Sequence, residues 1–335
     1  LVPLRRSGFR FTPRRGWRGM GLGSARRVAS WTFAAVLVGQ AGFLLVTNAA
    51  ATVREATKDQ PPALAAQAPG MAAWTLAFLL FMLPHSLVAV SVVTALFTRM
   101  SNAAAEDDVA AVRRDVSGGL RLLGVASVLA TAGLVVLAGP AGRLISDAPS
   151  DAEAQAIGRV AAAMALGLTA FSASYLLQRA FYAFEDARTP FVVQLVVVGV
   201  WSTGNVLSLW LLSPRAIIVG VALSMSAGHV AGALTAAALL RRRLSGLDSR
   251  RVVRTHVRLL VAGVLAAAVG AGVSELMSGI TWGSRSGALL TAAVAGSAIT
   301  VTYLAGLRVL HVDELDGLLR RLPGGRRLAR PPRTR

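Results

Sequence analysis

The chain lacks cysteine entirely and contains few charged residues. With no Cys among its 335 residues, it has neither a disulfide framework nor a thiolate metal site. Charged residues make up 15% of the chain, against about 25% in soluble globular domains. Because 54% of the residues are hydrophobic, this deficit favours a polytopic membrane protein over a soluble one.

Acidic residues are also scarce. Asp and Glu number 16 against 35 Lys and Arg, of which only Lys58 is lysine, and the formal net charge is +19. Such a charge is typical of nucleic-acid-binding proteins. The arginines cluster in short segments between apolar runs, so we interpret them as flanking membrane spans and expect no nucleic-acid partner.

The motifs of common enzyme classes are missing from the sequence. It has no HExxH motif, no nucleotide-binding loop and no pair of carboxylates inside an apolar run. The four histidines (His85, His229, His256 and His311) are scattered over separate segments. We therefore predict that the protein is not an enzyme and that it has no metal site and no cofactor.

The most informative apolar run is Ala73–Thr98, AWTLAFLLFMLPHSLVAVSVVTALFT. It carries no formal charge, and about 20 such residues suffice to cross the hydrocarbon layer as a helix. Pro84 and His85 lie at its middle, and a proline removes one backbone donor and bends a helix. Since a freed carbonyl needs a partner in lipid, we expect the bend to face other helices or a cavity.

Eight apolar runs of about 20 residues or more predict an all-α polytopic membrane protein with eight transmembrane helices. The predicted spans are Val28–Ala50, Ala73–Thr98, Gly118–Ala138, Ile157–Phe181, Phe191–Leu212, Ala216–Leu240, Val257–Met277 and Gly287–Leu307.

The basic residues predict the orientation of these spans. If residues 1–27 are cytoplasmic, most of the 35 basic residues fall on the cytoplasmic side, as positively charged loops do. The prediction places both ends of the chain in the cytoplasm. The basic residues left on the outer side are Arg54, Lys58, Arg143, Arg159, Arg215 and Arg285.

The same pattern divides the chain into five parts. Residues 1–27 form a basic cytoplasmic loop, 28–240 a six-helix lobe, 241–256 a basic cytoplasmic loop, 257–310 two further transmembrane helices, and 311–335 a basic cytoplasmic tail. We expect the basic loops to contact anionic lipids.

The segment between the second and third spans contains acids before arginines. Ser101 is a candidate helix cap, and Val109, Val112 and Val116 recur at helical spacing. This pattern predicts a short helix on the inner membrane surface, with a solvated linker as the alternative.

Polar residues within the apolar runs are the candidate substrate-cavity residues, because a polar group at membrane depth is costly and usually functional. Each could instead form a hydrogen bond between helices. Such a bond is the favoured explanation for both Gln40 and Gln194, although Gln40 stays in the candidate set. The candidate cavity set is Gln40, Pro84, His85, Asn205 and His229.

Two motifs resemble one known family. LPHSLVAVSVVTALFTRMS (Leu83–Ser101), followed by a charged segment, resembles the second span of the C-terminal lobe in the MurJ/MviN lipid II flippases. QRAFYAFEDARTPF (Gln178–Phe191) resembles the family's inner loop between spans ten and eleven. The resemblance covers about residues 1–310.

The resemblance implies a fold of the multidrug/oligosaccharidyl-lipid/polysaccharide exporter superfamily, with two six-helix lobes around a cavity and two extra C-terminal helices. The eight predicted spans would then be the second lobe plus the extra two, in an actinobacterial-type member. The N-terminal lobe would be missing from this chain, which begins with Leu1.

The resemblance also implies a function. The protein would move lipid II, the lipid-linked peptidoglycan precursor, from the inner to the outer leaflet of the bacterial cell membrane by alternating access. Partners would be lipid II, the missing N-terminal lobe and cell-wall synthesis proteins. The resemblance also implies a cytoplasmic gate or lobe contact, with topological anchoring as the alternative role. The residues carried over for it are Arg179, Tyr182, Asp186, Arg188, Thr189 and Pro190.

Two positions depart from the family pattern. Leu79 stands where some members have a cavity arginine, which argues against phosphate binding by this lobe. Asn205 lies in the region where members with a sodium site have a carboxylate, so sodium coupling is unsupported. Alternative functions are a drug or polysaccharide exporter of the same superfamily and a membrane scaffold that recruits cell-wall enzymes.

Overall fold

The computed structural model describes residues 23–146, 150–281 and 284–315, so most of the predicted basic segment 1–27 and of the tail 311–335 lies outside the described residues. All regular structure in the described part is helical. The helices are α1 (Gly23–Thr57), α2 (Pro62–Ala65), α3 (Met71–Pro84), α4 (Val90–Ala105), α5 (Val109–Val136), α6 (Ala138–Ile145), α7 (Asp151–Ala165), α8 (Leu168–Ala183), α9 (Arg188–Leu211), α10 (Pro214–Arg243), α11 (Ser249–Thr281) and α12 (Arg285–Val309).

Within the described residues, seven helical segments are long and apolar enough to cross a membrane, and the count is eight if α7 and α8 together form one span. These two helices pass the same test as a pair and bend by 46° at their junction. The prediction of an all-α polytopic membrane protein is confirmed, with seven spans, or the predicted eight if the bent pair is one span; α3 and α4 together count as one of them.

Pro84 does not break its span. It is followed by a π-helical turn, His85–Ala89, in which the Val90 N–H donates to the His85 carbonyl. Proline has no N–H to donate to the preceding turn, and a wider turn accommodates this gap. Within this turn His85 and Ala89 are buried, whereas Ser86, Leu87 and Val88 are exposed, so only one side of the turn packs against neighbouring helices.

The predicted surface helix between the second and third spans does not form. α4 runs through Ser101 to Ala105, and α5 begins at Val109, with Asp108 rather than Ser101 as its cap; the Asp108 carboxylate accepts from the Ala111 N–H at 2.8 Å. Val112 and Val116 are fully buried. Their helical spacing therefore marks the packed face of a span and not a membrane-bound face.

The basic loop predicted at 241–256 is much shorter in the structure. α10 continues to Arg243 and α11 begins at Ser249. Arginine has a high helix propensity and is favourable near a helix C-terminus, where it opposes the negative end of the dipole. The arginines that flank these spans therefore extend the helices instead of forming a loop.

Contacts between distant segments define two ends of the bundle. At one end, which we call the basic end, the α8–α9 loop contacts the end of α10 through an Arg243–Asp186 ion pair. At the opposite end, Arg159 of α7 donates to the Gln67 carbonyl at 2.7 Å, and Arg285 donates to the Ser146 carbonyl at 3.0 Å.

The last two long helices pack against α5 along a surface that we call the C-terminal seam. Tyr303 is fully buried there, and its hydroxyl donates to the Val125 carbonyl at 2.9 Å. At the basic end of the seam, Arg121 is paired with Glu314. The seam therefore joins the C-terminal helices to the lobe through apolar packing and two polar contacts.

Helices α9 and α10 pack closely through small residues. A Cβ at Gly204 would lie 2.1 Å from the Ser224 hydroxyl, and one at Gly228 would lie 2.7 Å from the Val197 carbonyl. The two helices therefore approach closely at the STGNVLS (residues 202–208) and SMSAG (residues 224–228) segments. Small residues drive such packing in membranes, where the hydrophobic effect does not hold helices together.

Candidate functional site

Two adjoining grooves open along one face of α1. The first, which we call the mouth groove, lies toward the basic end and has a volume of about 990 Å³. The second, which we call the aromatic groove, has a volume of about 550 Å³. They share Thr32, Val36, Gln178 and Tyr182 in their linings.

A single stripe of α1 lines both grooves. Its groove-lining residues are spaced three or four apart, which places them on one side of an α-helix. Much of the rest of α1 is exposed, including Leu37 and Leu44. The stripe consists of Ala25, Val28, Ala29, Thr32, Phe33, Val36, Gly39, Gln40 and Phe43, with Ala35 at its edge.

The opposite wall of the grooves is formed by α8. Phe171, Tyr175, Gln178 and Tyr182 recur at helical spacing and line one or both grooves. Phe171 belongs to the aromatic groove, and Tyr175 belongs to the mouth groove. The helix thus presents a row of aromatic rings and one amide to the space between itself and α1.

Arg179 lines the mouth groove and is surrounded by aromatic rings. Its guanidinium carbon lies 5.0 Å from the centre of the Tyr175 ring, 5.7 Å from Phe97 and 6.0 Å from Tyr182. It also donates to the Tyr175 hydroxyl at 3.0 Å. These distances are within the range of cation–π attraction.

The α8–α9 loop, which we call the elbow, is organised by Asp186. Its carboxylate accepts from the Thr189 N–H at 3.0 Å and from the Thr189 hydroxyl at 2.7 Å, which caps the start of α9. The same carboxylate pairs with Arg243 at 3.1 Å, and that guanidinium lies 4.5 Å from the Phe184 ring centre. The elbow is therefore fixed to the end of α10.

The two histidines of the candidate cavity lie on either side of Phe171. The His85 ring centre is 4.4 Å from that of Phe171, and the His229 ring centre is 4.7 Å from it. His85 Nδ1 is hydrogen-bonded to the Ser172 hydroxyl at 3.1 Å. His229 lines the aromatic groove, whereas His85 lies behind Phe171 in a small gap.

Asn205 is buried in the packed interior of α9, outside the lining of both grooves. Its side chain is 1% exposed, and neither amide atom has a hydrogen-bond partner among the described residues. One turn earlier, Trp201 stacks on Trp74 with 6.2 Å between ring centres and lines the aromatic groove.

The structure separates the residues predicted from sequence. Of the candidate cavity set, Gln40 and His229 line the aromatic groove, while Pro84 and His85 line the small gap behind it. Their role in holding a substrate stays a prediction.

The predicted gate set also divides into two groups. Arg179 and Tyr182 line the mouth groove, and Asp186 and Thr189 form the elbow. The others flank the start of α9, with Arg188 exposed and Pro190 buried. A role for the set as a gate stays a prediction.

Several groove residues were missed by sequence reasoning. The spacing of Phe171, Tyr175, Gln178 and Tyr182 on one helical face is visible in the sequence and could have indicated the aromatic wall. The groove residues missed are Phe97, Phe171, Tyr175, Trp74 and Trp201, and Arg243 was missed at the elbow.

Neither groove offers a set of metal ligands. Within the described ranges, no three His, Asp or Glu side chains lie close enough together to hold a metal ion. The aromatic groove is lined by rings and by the amides of Gln40, Gln178 and Gln194. This lining provides uncharged hydrogen-bonding groups and flat apolar surfaces that a ligand could contact.

Comparison with known proteins identifies the family. A family model described as "Lipid II flippase MurJ" matches residues 1–290. A solved structure described as "Lipid II flippase MurJ, inward closed conformation" aligns with a TM-score of 0.56 at 17% sequence identity, over 84% of this chain and 53% of that chain. The chain thus spans about half the length of the solved structure, which it resembles in fold. Since the family model matches well over half of its residues, the chain belongs to the MurJ lipid II flippase family.

Proposed function

We propose that the protein is a lipid II flippase, which moves the lipid-linked peptidoglycan precursor from the inner to the outer leaflet of the bacterial cell membrane. The family match is the observation that carries this proposal. The diphosphate-sugar head of such a lipid cannot cross hydrocarbon unaided, because unpaired polar and charged groups are costly there. The function therefore requires a polar path beside the membrane spans.

The two grooves support this function. They lie between α1 and α8, two helices of the membrane-spanning bundle, and their linings combine amides, hydroxyls, aromatic rings and one arginine. A sugar head could occupy the grooves while its hydrocarbon tail stays among the lipids. The protein acts in this account as a transporter that binds and releases its substrate without chemical change.

We further propose that the described helices form the second lobe of the family fold, with α11 and α12 as the additional C-terminal pair. The exposed face of α1 and the 53% coverage of the solved structure support this arrangement. The first lobe would face the grooves and complete the cavity. Alternating access would then consist of the two lobes rocking about the enclosed substrate.

The proposed location is the inner membrane, with the basic end in the cytoplasm. The concentration of arginines at that end supports this orientation. The arginines near the start of α11 would contact anionic lipid headgroups, each contributing about 1 kcal/mol. Lipid II would enter from the inner leaflet at the mouth groove.

The test is translocation of fluorescent lipid II in proteoliposomes that contain the full-length protein. The double variant Pro84→Ala, His85→Ala should insert normally and lose translocation. Restoring the missing N–H favours a regular helix over the π-turn, and the His85–Ser172 hydrogen bond is lost.

Ser86→Ala is the matched control, because Ser86 is the next residue and its exposed hydroxyl only donates to the Met82 carbonyl. It should translocate lipid II at the normal rate. Absence of lipid II translocation by the unaltered protein would contradict the proposed function. Transport of a drug gradient in its place would identify an exporter.

A further inference from the structure

Another cavity lies at the basic end of the C-terminal seam, outside both grooves. It has a volume of about 500 Å³, and its walls are formed by residues from 248–258, at the start of α11, and by residues 311–314, which follow α12. We call this cavity the seam pocket. Its volume lies within the range of small-molecule sites, so it has room for one polar headgroup.

The wall contributed by α11 carries four arginines. Three of them, Arg250, Arg254 and Arg258, follow one another at intervals of four residues, so they form a row along one side of the helix. Arg250 and Arg254 are exposed. In the described part of the chain, the side chains of these two arginines form neither an ion pair nor a hydrogen bond. Two guanidinium groups are therefore available to an anion at the pocket.

The acids of the seam pocket do not occupy these two guanidinium groups. Glu314 is paired with Arg121, which lies outside the pocket lining, and Asp313 lies 3.8 Å from Arg251. The third acid, Asp248, is exposed, where water and salt screen its charge. Four arginines thus face three acids, one of which is neutralised from outside. The pocket keeps a net positive charge.

Beyond the arginine row, the same side of α11 is apolar. Val257, Val261 and Leu265 continue it toward the middle of the span at intervals of four residues, and all three are exposed. Acyl chains cover such a face in a bilayer. A lipid whose phosphate occupies the pocket could therefore lay a chain along α11, whereas a free anion would gain nothing from this face.

We propose that the seam pocket binds the phosphate of one anionic glycerophospholipid from the leaflet at the basic end, with Arg250 and Arg254 as its main ligands. Guanidinium groups bind phosphate oxygens through charge-assisted hydrogen bonds, and basic pockets between spanning helices bind lipid headgroups. The site differs from a general attraction of arginines to headgroups, because it holds one lipid and saturates. It lies outside both grooves and does not rest on the proposed flippase function.

The experiment measures binding of fluorescent phosphatidylglycerol to the full chain in a neutral detergent. Binding should saturate and should be at least about 10-fold tighter than that of phosphatidylcholine with the same acyl chains, because choline cancels the phosphate charge. The double variant Arg250→Gln, Arg254→Gln should lose at least about 10-fold of the affinity for phosphatidylglycerol. The double variant Arg250→Lys, Arg254→Lys should retain most of it, because lysine keeps both charges.

The matched control is the double variant Arg241→Gln, Arg242→Gln. These arginines are exposed in the last turn of α10, at the same end of the bundle and outside the seam pocket. The control removes the same charge and should leave the affinity for phosphatidylglycerol unchanged. All the substituted side chains are exposed, so circular dichroism should show the same helical content in every variant.

Glycerol phosphate distinguishes a lipid from a soluble phosphate, because it has the phosphate and lacks the acyl chains. It should compete at least about 10-fold more weakly than unlabelled phosphatidylglycerol. Equally strong competition by glycerol phosphate would overturn the assignment of the pocket to a lipid.

Two further results would overturn the inference. One is equal affinity for phosphatidylglycerol and phosphatidylcholine, and the other is an equal effect of the two glutamine double variants on phosphatidylglycerol binding. Absence of lipid II translocation would contradict the proposed function and leave this site intact, because none of these measurements depends on translocation.

Discussion

The C-terminal seam and the mouth groove both contain a partly buried arginine at the basic end of the bundle, but the two arginines are held differently. Arg121 in the seam is 13% exposed and is paired with Glu314, which is 9% exposed. Arg179 in the groove lies among three aromatic rings and faces open space. A buried cation paired with an acid fastens helices together, whereas one held by rings keeps its hydrogen-bonding capacity for a ligand.

The largest predicted effect is in the seam. Arg121→Met should lower the free energy of unfolding by about 3–5 kcal/mol, because it leaves the buried Glu314 without its partner. Chemical unfolding in detergent micelles measures this change. Replacing both residues with Met should recover most of the loss.

Arg114→Met is the matched control for the seam. Arg114 is 68% exposed, and its guanidinium makes only a long ion pair of 3.8 Å with the Asp108 carboxylate. Its loss should cost less than about 1 kcal/mol. Equal destabilisation by the Arg114 and Arg121 variants would show that the seam pair does not fasten the C-terminal helices.

The second prediction compares close packing with open space through two glycines. Gly158→Ala should destabilise the protein by about 1–3 kcal/mol, because the added Cβ would lie 2.4 Å from the Ala138 carbonyl oxygen. Gly39→Ala, in the aromatic groove, should be neutral or stabilising by up to about 1 kcal/mol, because its Cβ meets only the Gln194 amide at 3.4 Å. Melting temperatures in the same detergent compare the two variants. A melting temperature of Gly39→Ala below that of the unaltered protein would mean that the aromatic groove is closed at this position.

The third prediction concerns two tyrosine hydroxyls. Tyr303→Phe should cost about 1 kcal/mol, because the buried hydroxyl loses its bond to the Val125 carbonyl. Tyr182→Phe should have almost no effect on unfolding, since Tyr182 lines both open grooves. Urea unfolding measures the stability of both variants. A larger loss of stability in Tyr182→Phe than in Tyr303→Phe would show that the groove is packed and the seam is open.

The last prediction concerns the stability of Arg179→Met. Loss of the ring contacts should cost at most about 1 kcal/mol. Thermal unfolding in the same detergent measures this change. A large loss of stability would indicate that Arg179, like Arg121, is a structural residue.

The sequence predicts the spans well because their signal is local. Length and apolarity suffice to identify the runs that became α1, α9 and α12, and Pro84 indicates where its helix departs from regular geometry. The valines of α5 were misinterpreted, because a face with helical spacing looks the same whether it packs in a bundle or lies on a membrane.

The grooves could be predicted only in part. Residues on one helix, such as Tyr175 and Arg179, can be placed on a common face from their spacing alone. The Asp186–Arg243 and Arg121–Glu314 pairs join residues 57 and 193 positions apart. Their pairing follows from helix packing, which a single sequence does not specify.

The central claim is that the mouth groove opens toward the cytoplasm in an eight-span membrane protein. The chain has no native cysteine, so single cysteines at the exposed positions Arg54 and Arg250 report on opposite ends of the bundle without background. A membrane-impermeant maleimide added to intact spheroplasts should label Arg54→Cys, and Arg250→Cys should react only after permeabilisation. Labelling of both variants from the same side would contradict the account.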